Sequence, residues 1–347
     1  MSVATRALTQ KLSDRAGVTI EILNTSPGSL HKTLRYHARK IAAILRSLIW
    51  IATRGSADCV LYLPVENGLG ICYSLMIAAS AKSKGMPLVL HHHSMAYLRR
   101  PWRIARLLVR CAGPSAVHVI ICEAAGNSLK QCYPRVRSVL PLSNAFLLPP
   151  PESSIRASTG TLRVGHLGNL SRAKGIDLVL DTVRGAARRG LRVQLDVAGP
   201  VSDSRAAEDL ARFEREFPGT LTCHGLLADA GKARFFDSLD VFLFPSRLPE
   251  IEGIVNLEAM RSGVVPIAFA HGCIASNFAC GGGVCVEPSD DFAARAVDCL
   301  LAWNADRDAL NEARSAVWRR YGELWRRAQA QAHEVLDAFM KLSAQVG

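Results

Sequence analysis

Two carboxylates eight positions apart, Glu250 and Glu258, bracket Gly253 in the segment PEIEGIVNLEAMRSGVVPIA, residues 249–268. The run DVFLFPS before them reads as a buried strand, and EGIVNLEAMRSG reads as a helix whose first turn holds Gly253, Ile254 and Val255. Glu250 stands just before that turn, where its carboxylate can reach a cleft. Glu258 stands about a turn and a half into the helix, and an acceptor-only carboxylate there suits the hydroxyl pair of a ribose. A second reading has Glu250 or Glu252 capping the helix and Glu258 on a solvated face. The segment VGHLGNLSRAKGIDLVLDTV (164–183) has the same build: a strand, a loop with Gly165 and Gly168, then Arg172, Lys174 and Gly175 leading into a helix. Small residues let a ligand approach the backbone, a new helix offers free N–H groups, and the two cations complete a site suited to a diphosphate. The same residues also fit a plain strand–helix turn with solvated charges.

Such segments need strands that end at them and helices that start from them, and the chain alternates accordingly. In the first half ATRALTQKLSDR reads as an amphipathic helix, VTIEIL (18–23) as a strand, and TLRYHARKIAAILRSLIWIATRG as a long helix ended by Gly55. The runs CVLYLP, PLVLHHH, AVHVIICE and the weaker RSVLPLSNA predict further strands, with helices between most of them. FLLPPPESSIRASTGT (146–161) breaks the pattern. A second series follows with strands in LRVGHLG, RVQLDVAGP, GTLTCHG, DVFLFPS and GGVCVEP, and the chain ends in helical sequence. The reading is an α/β chain with two mainly parallel, doubly wound domains, 1–148 and 162–312, joined by a linker at 149–161. Helices over 313–347 are expected to pack back toward the first domain. Ligands belong in the cleft outside the strand C-termini.

A length of 347 residues fits two domains, and 49% apolar with 21% charged residues is a globular composition. No apolar run reaches the ~18–20 residues of a membrane span. The polar start, MSVATRALTQKLSDRAGV, has no signal-peptide core, so a cytoplasmic protein is expected. Ten cysteines without a CxxC pair argue for reduced thiols rather than a disulfide framework or a zinc site. Charge is uneven: residues 1–150 hold 19 Lys and Arg against 5 Asp and Glu, while the remainder holds 23 against 25. A basic first half can face nucleic acid, an anionic membrane or a phosphorylated substrate. No nucleic-acid module or stacking platform accompanies it, which sets nucleic acid aside.

The spacing of Glu250 and Glu258, with Gly253 between them, Pro245-Ser246 before and EAMRSGVVPIA after, resembles the signature of family 4 retaining glycosyltransferases, which have the GT-B fold. GNLSRAKGIDLVLDTV is similar to that family's first donor-domain loop and helix. VAGP (197–200), CHGLL (223–227) and GGVCVEPSDDFAARAVDCLL (282–301) follow in the family's order, so the resemblance covers roughly residues 163–301. It implies two Rossmann-like domains facing a cleft, and a sugar moved from a nucleotide-sugar donor to a saccharide or polyprenyl-pyrophosphate-linked acceptor in cell-surface polysaccharide synthesis. Glu258 would bind the ribose, and the Gly253, Ile254 and Val255 amides would face the diphosphate with Gly168. Lys174 would pair with that diphosphate and stabilise the leaving charge. Glu250 would hold the hydroxyls of the transferred sugar, and Leu226 would lie beside the nucleobase. No metal or other cofactor is implied, because cations and helix ends neutralise the charge. The family places Arg where this chain has Asn169, five residues before Lys174, and Arg172 is the expected substitute.

In the first domain, LHHHSMAYLRR ends a buried strand with three histidines, His91 and His93 on one face and His92 on the other. Adjacent strand histidines do not converge on one ion. The resemblance instead puts His93 near the sugar, and Asn67 and Gly68 of PVENGLG on the acceptor side. A GT-B chain opens with a strand and a Gly-rich loop, whereas Met1 here falls almost at the first helix, so that first strand is expected to be missing. LRYHARKIAAILRSLIWIATR (34–54) mixes Arg35, Arg39, Lys40 and Arg46 with Ile41, Ile44, Leu45, Leu48 and Trp50, and RRPWRIARLLVR (99–110) repeats the mixture. Either these helices rest on a membrane surface, or their apolar faces are ordinary core. Two rival functions are a sugar-nucleotide epimerase on the same scaffold and a catalytically silent partner in a polysaccharide-synthesis complex.

Overall fold

The computed structural model describes residues 3–15, 18–26 and 34–344. The chain divides into two units, Met1–Leu147 with Ala328–Gly347, and Leu148–Arg327.

In the first unit the helices Val3–Ser13 and Leu34–Arg54 precede four strands: β1 (Leu61–Val65), β2 (Leu88–His92), β3 (Val117–Ile120) and β4 (Ser138–Pro141). They form one parallel sheet in the order β1-β2-β3-β4. Every residue of β2 and β3 is buried, as expected of parallel strands covered on both faces. The helix Gly70–Ser83 packs between Leu34–Arg54 and Arg103–Ala112. The strand expected at 18–23 is not there: residues 18–26 are irregular, and none of them joins a sheet. Alternation says which side chains would share a face, but a strand exists only when an edge accepts its hydrogen bonds. The start of the second long helix at Thr33 falls outside the described residues.

The two histidines of β2, His91 and His92, and His93 just beyond it divide between the faces as alternation requires. The His91 and His93 rings lie 3.9 Å apart, and His91 Nδ1 meets Tyr62 Oη at 2.6 Å. On the other face, His92 bonds Tyr97 Oη at 3.0 Å through Nδ1 and His118 Nδ1 at 2.9 Å through Nε2.

The second unit has six strands: β5 (Leu162–Leu167), β6 (Val193–Ala198), β7 (Leu221–Cys223), β8 (Val241–Phe244), β9 (Val265–Phe269) and β10 (Val284–Val286). Their order is β10-β9-β8-β5-β6-β7, all parallel. The chain winds outward from β5 to β7, returns to β8 beside β5, and winds out the other way. The two directions part between β5 and β8, the switch point where open α/β sheets bind ligands. The β5–β8 ladder also ends early, at Gly165–Phe242, although both strands continue. A buried carboxylate fixes the opposite end of β8. Asp240 accepts from Arg163 N at 2.9 Å, Arg156 Nη2 at 2.9 Å and Arg314 Nη1 at 3.4 Å.

Arg314 belongs to a single helix, Arg307–Ala344, that supplies residues to both units. Its last part stays with the first unit, where Arg15 Nη1 reaches Asp337 Oδ1 at 2.7 Å.

Candidate functional site

Loops that follow β5 and β8 meet over a cavity of about 220 Å³ in the second unit. His166, Leu167, Gly168, Asn169 and Lys174 line one side, and Phe244, Glu250, Gly253, Ile254 and Val255 line the other. Its volume is below the ~300–1,000 Å³ usual for ligand pockets, so it suits part of a sugar nucleotide.

The β5 loop is shaped by a short 3-10 turn, Arg172–Lys174, whose N-cap Ser171 accepts from Lys174 N through its side chain. Gly175 then takes φ +83° and starts the helix Ile176–Arg188. A side chain cannot replace it, because a Cβ there would lie 2.1 Å from Pro245 O. That close approach joins the two loops, and Arg247 secures them: its N–H donates to Ala173 O at 3.0 Å, and its guanidinium binds Asp177 at 2.8 Å through both nitrogens.

Across the cavity, Gly253 is the left-handed N-cap of the helix Ile254–Arg261, with no side chain capping it. The first amides of that helix have no intrahelical acceptor and carry the positive end of its dipole, an arrangement that favours an anion. Lys174 Nζ pairs with Glu250 Oε1, and Ser246 Oγ donates to the same oxygen at 3.0 Å. The ammonium also lies 5.9 Å from the centre of the Phe244 ring. A lysine, a carboxylate and a helix start therefore converge on one concave surface. Such a set can neutralise a phosphate and hold hydroxyl groups.

Glu258 does not line the cavity. Its Oε1 accepts from Lys232 Nζ at 3.2 Å, while Oε2 is buried without a partner. Burial raises its pKa, and the Lys232 charge opposes the shift. Leu226 is 83% exposed on the loop after β7.

Arg172 departs from expectation. It forms a two-point bond to Asp209, Nε to Oδ2 at 2.8 Å and Nη2 to Oδ1 at 2.9 Å, so its fork is occupied and it is absent from the cavity wall. Among the lining residues, Lys174 is the one cation. In the first unit, His93 is exposed beyond β2. Asn67 folds back to accept from Gly68 N at 2.7 Å, with Gly68 at φ +59°. Among the described residues no group of three His, Cys, Asp or Glu is placed to hold a metal ion.

Sequence reading gave no role to His166, Phe244, Ser246 or Lys232, although Pro245-Ser246 was part of the motif. The first three lie inside the quoted strand segments, where an apolar neighbourhood reads as core. Lys232 carried no local signal at all.

Residues 153–316 match the family described as glycosyl transferases group 1. Among curated proteins, soluble starch synthase 2-2 of Oryza sativa subsp. japonica is 30% identical over 174 residues, which is 48% of this chain and 23% of that protein. Glycogen synthase 1 of Synechocystis sp. is 31% identical over 166 residues, 45% of this chain and 33% of that one. The chain thus spans about a quarter to a third of the length of these relatives. Among solved structures, sucrose-phosphate synthase from Thermosynechococcus elongatus aligns with a TM-score of 0.70 at 16% identity, covering 99% of this chain and 93% of that one. Anabaena Alr3699/HepE in complex with UDP aligns with a TM-score of 0.63 at 14% identity, covering 86% and 82%. The matched group is broader than family 4, and glycogen and starch synthases belong to family 5. The chain has the GT-B fold, and residues 153–316 of its second unit are similar to the glycosyl transferases group 1 family.

Proposed function

We infer that this protein is a retaining glycosyltransferase of the family 4 type, taking a sugar from a nucleotide-sugar donor to a lipid-linked saccharide acceptor in cell-surface polysaccharide synthesis. The observation that carries the reading is the cavity at the β5–β8 switch point, where Lys174, Glu250 and the uncapped helix start at Gly253 converge. Structures of Anabaena Alr3699/HepE with UDP and with UDP-glucose support a nucleotide sugar as the donor class. In this reading the helix start and Lys174 take the diphosphate, Glu250 the sugar and Glu258 the ribose. His93, Asn67 and Gly68 belong to the acceptor half.

A peripheral membrane contact is part of the proposal. On the helix Leu34–Arg54, Ile41, Leu45 and Ile49 are 49%, 52% and 62% exposed, beside exposed Arg35, Arg39 and Arg46. That face suits an anionic lipid surface. Two members of the expected set do not contribute: Ile44 is core, and Lys40 is buried in an ion pair with Glu66. No helix among the described residues is long and apolar enough to cross a membrane.

The test is turnover of a nucleotide-sugar panel with lipid extract as acceptor. Lys174→Ala and Glu250→Ala should each lower kcat at least tenfold, and Glu258→Ala should mainly raise the donor KM. Normal turnover in the Lys174→Ala, Glu250→Ala double variant refutes the assignment. A second reading, a catalytically silent binding partner, draws on Asn169 and on the engagement of Arg172 with Asp209, which leave a single cation at the cavity. Donor binding by calorimetry without transfer to any acceptor selects it.

A further inference from the structure

Glu250 is the one carboxylate among the residues that line the cavity, yet it stands on neither a strand nor a helix. The irregular segment between β8 and the helix Ile254–Arg261 carries it. Two donors hold its side chain, Lys174 Nζ and Ser246 Oγ, and both reach the same oxygen, Oε1. Neither uses Oε2, and the side chain keeps 20% of its surface exposed. A carboxylate held at one oxygen has the lone pairs of the other for a ligand.

The two donors differ in how they are anchored. Lys174 comes from the β5 loop on a flexible four-carbon stem, 25% exposed, and a phosphate at the Gly253 helix start competes for its charge. Ser246 lies two residues past the end of β8, is 1% exposed, and is absent from the cavity wall. The backbone on each side of it is pinned to the β5 loop. Pro245 O packs so close to Gly175 that a Cβ there would lie 2.1 Å away, and Arg247 N donates to Ala173 O at 3.0 Å. A short side chain between two such points gives its hydroxyl little freedom, which makes it the rigid support of the pair. We propose that Ser246 is a positioning residue: its hydroxyl holds Glu250 Oε1 so that Oε2 receives a hydroxyl of the transferred sugar once phosphate has taken Lys174. The inference rests on the donor reading above, and no ligand has to touch Ser246 itself.

Calorimetry on the full chain compares UDP, ADP and GDP with UDP-glucose, ADP-glucose and GDP-mannose. The readout is the ratio of the diphosphate Kd to the sugar-nucleotide Kd, which a merely structural role leaves unchanged. Ser246→Ala should lower that ratio about fivefold, with the diphosphate Kd held within about threefold. Asn169 and the first amides of the helix Ile254–Arg261 also line the cavity and can bind a sugar, so a double-variant cycle assigns the loss. In a Glu250→Ala background, Ser246→Ala should lower the ratio no further. An unchanged ratio in Ser246→Ala, equal weakening of diphosphate and sugar nucleotide, or a full additional loss in the double variant overturns the proposal. A wild-type protein that binds a diphosphate but gains nothing from any sugar also overturns it, and leaves the diphosphate site standing. Absence of any nucleotide binding refutes the donor reading and the proposal with it.

Discussion

Replacing Gly175 by Ala tests whether the close approach of the two loops builds the cavity. Gly175 has φ +83°, a left-handed conformation that costs an L-residue about 1–2 kcal/mol. The added Cβ would also lie 2.1 Å from Pro245 O and 2.8 Å from Pro245 C, where ordinary contact starts at 3.4 Å. Both atoms are backbone, so the β8 loop has to retreat by more than an ångström, at about 1–3 kcal/mol for an overpacked site. The sum is about 2–5 kcal/mol. For a unit of this size, each kcal/mol moves Tm by about 2–4 °C, so a loss of about 4–20 °C is expected in a calorimetric scan. Gly190→Ala supplies the control. Gly190 has φ +80° but nothing within 4 Å of a Cβ, so that variant loses the conformational part alone. Retreat of Pro245 also strains the bond from Arg247 N to Ala173 O and moves Glu250, so Gly175→Ala should weaken stabilisation by nucleotide where Gly190→Ala does not. Equal Tm losses with equal nucleotide response in the two variants refute the argument.

Three further outcomes follow from other parts of the fold. Burial lowers the His118 pKa to about 4 from an unfolded value near 6.5, so its neutral form stabilises the fold above that value and the contribution is lost as pH falls toward 4. The loss is about 3 kcal/mol; His118→Asn, which cannot titrate, should show a shallower decline in urea midpoint between pH 7 and 4 by about that amount, and parallel declines count against it. Asp240→Ala leaves Arg314 buried and unpaired and should cost about 3–5 kcal/mol by urea titration; a loss under about 1 kcal/mol contradicts the anchor. Replacing Ile41, Leu45 and Ile49 together by Ser should abolish sedimentation with anionic vesicles while leaving Tm within a few degrees, and vesicle binding that survives it removes the membrane contact.

Nine of the ten strands were legible as short apolar runs closed by Gly, Pro or a polar residue, whereas β9, Val265–Phe269, was quoted only as the tail of the helix motif and not read as a strand. VTIEIL had the same pattern and formed no strand, since pairing depends on a distant edge that local sequence does not encode. Of the candidate site, Gly168, Asn169, Lys174, Glu250 and Gly253–Val255 were legible, and the structure brings them to one cavity. Their visibility came from glycines and charges at strand ends. Arg172 was read from proximity in sequence, and its fork was claimed by Asp209, which lies 37 residues away. His166 stayed hidden because a histidine within a buried strand looks like core.

The pairing of side chains gives the proposed donor site a further consequence. Lys174 is matched with Glu250 and Lys232 with Glu258, so each proposed carboxylate already faces an ammonium. A diphosphate arriving at the Gly253 helix start competes with Glu250 for Lys174. The exchange replaces one ion pair by another, so Coulomb energy largely cancels and the helix amides supply the net attraction. Release of Lys174 leaves Glu250 held by Ser246 alone, with acceptor capacity for sugar hydroxyls. Phosphate binding and sugar binding are then coupled through one lysine. Lys174→Ala leaves Glu250 released beforehand, so it should weaken diphosphate binding while leaving most of the extra affinity that the sugar adds in place.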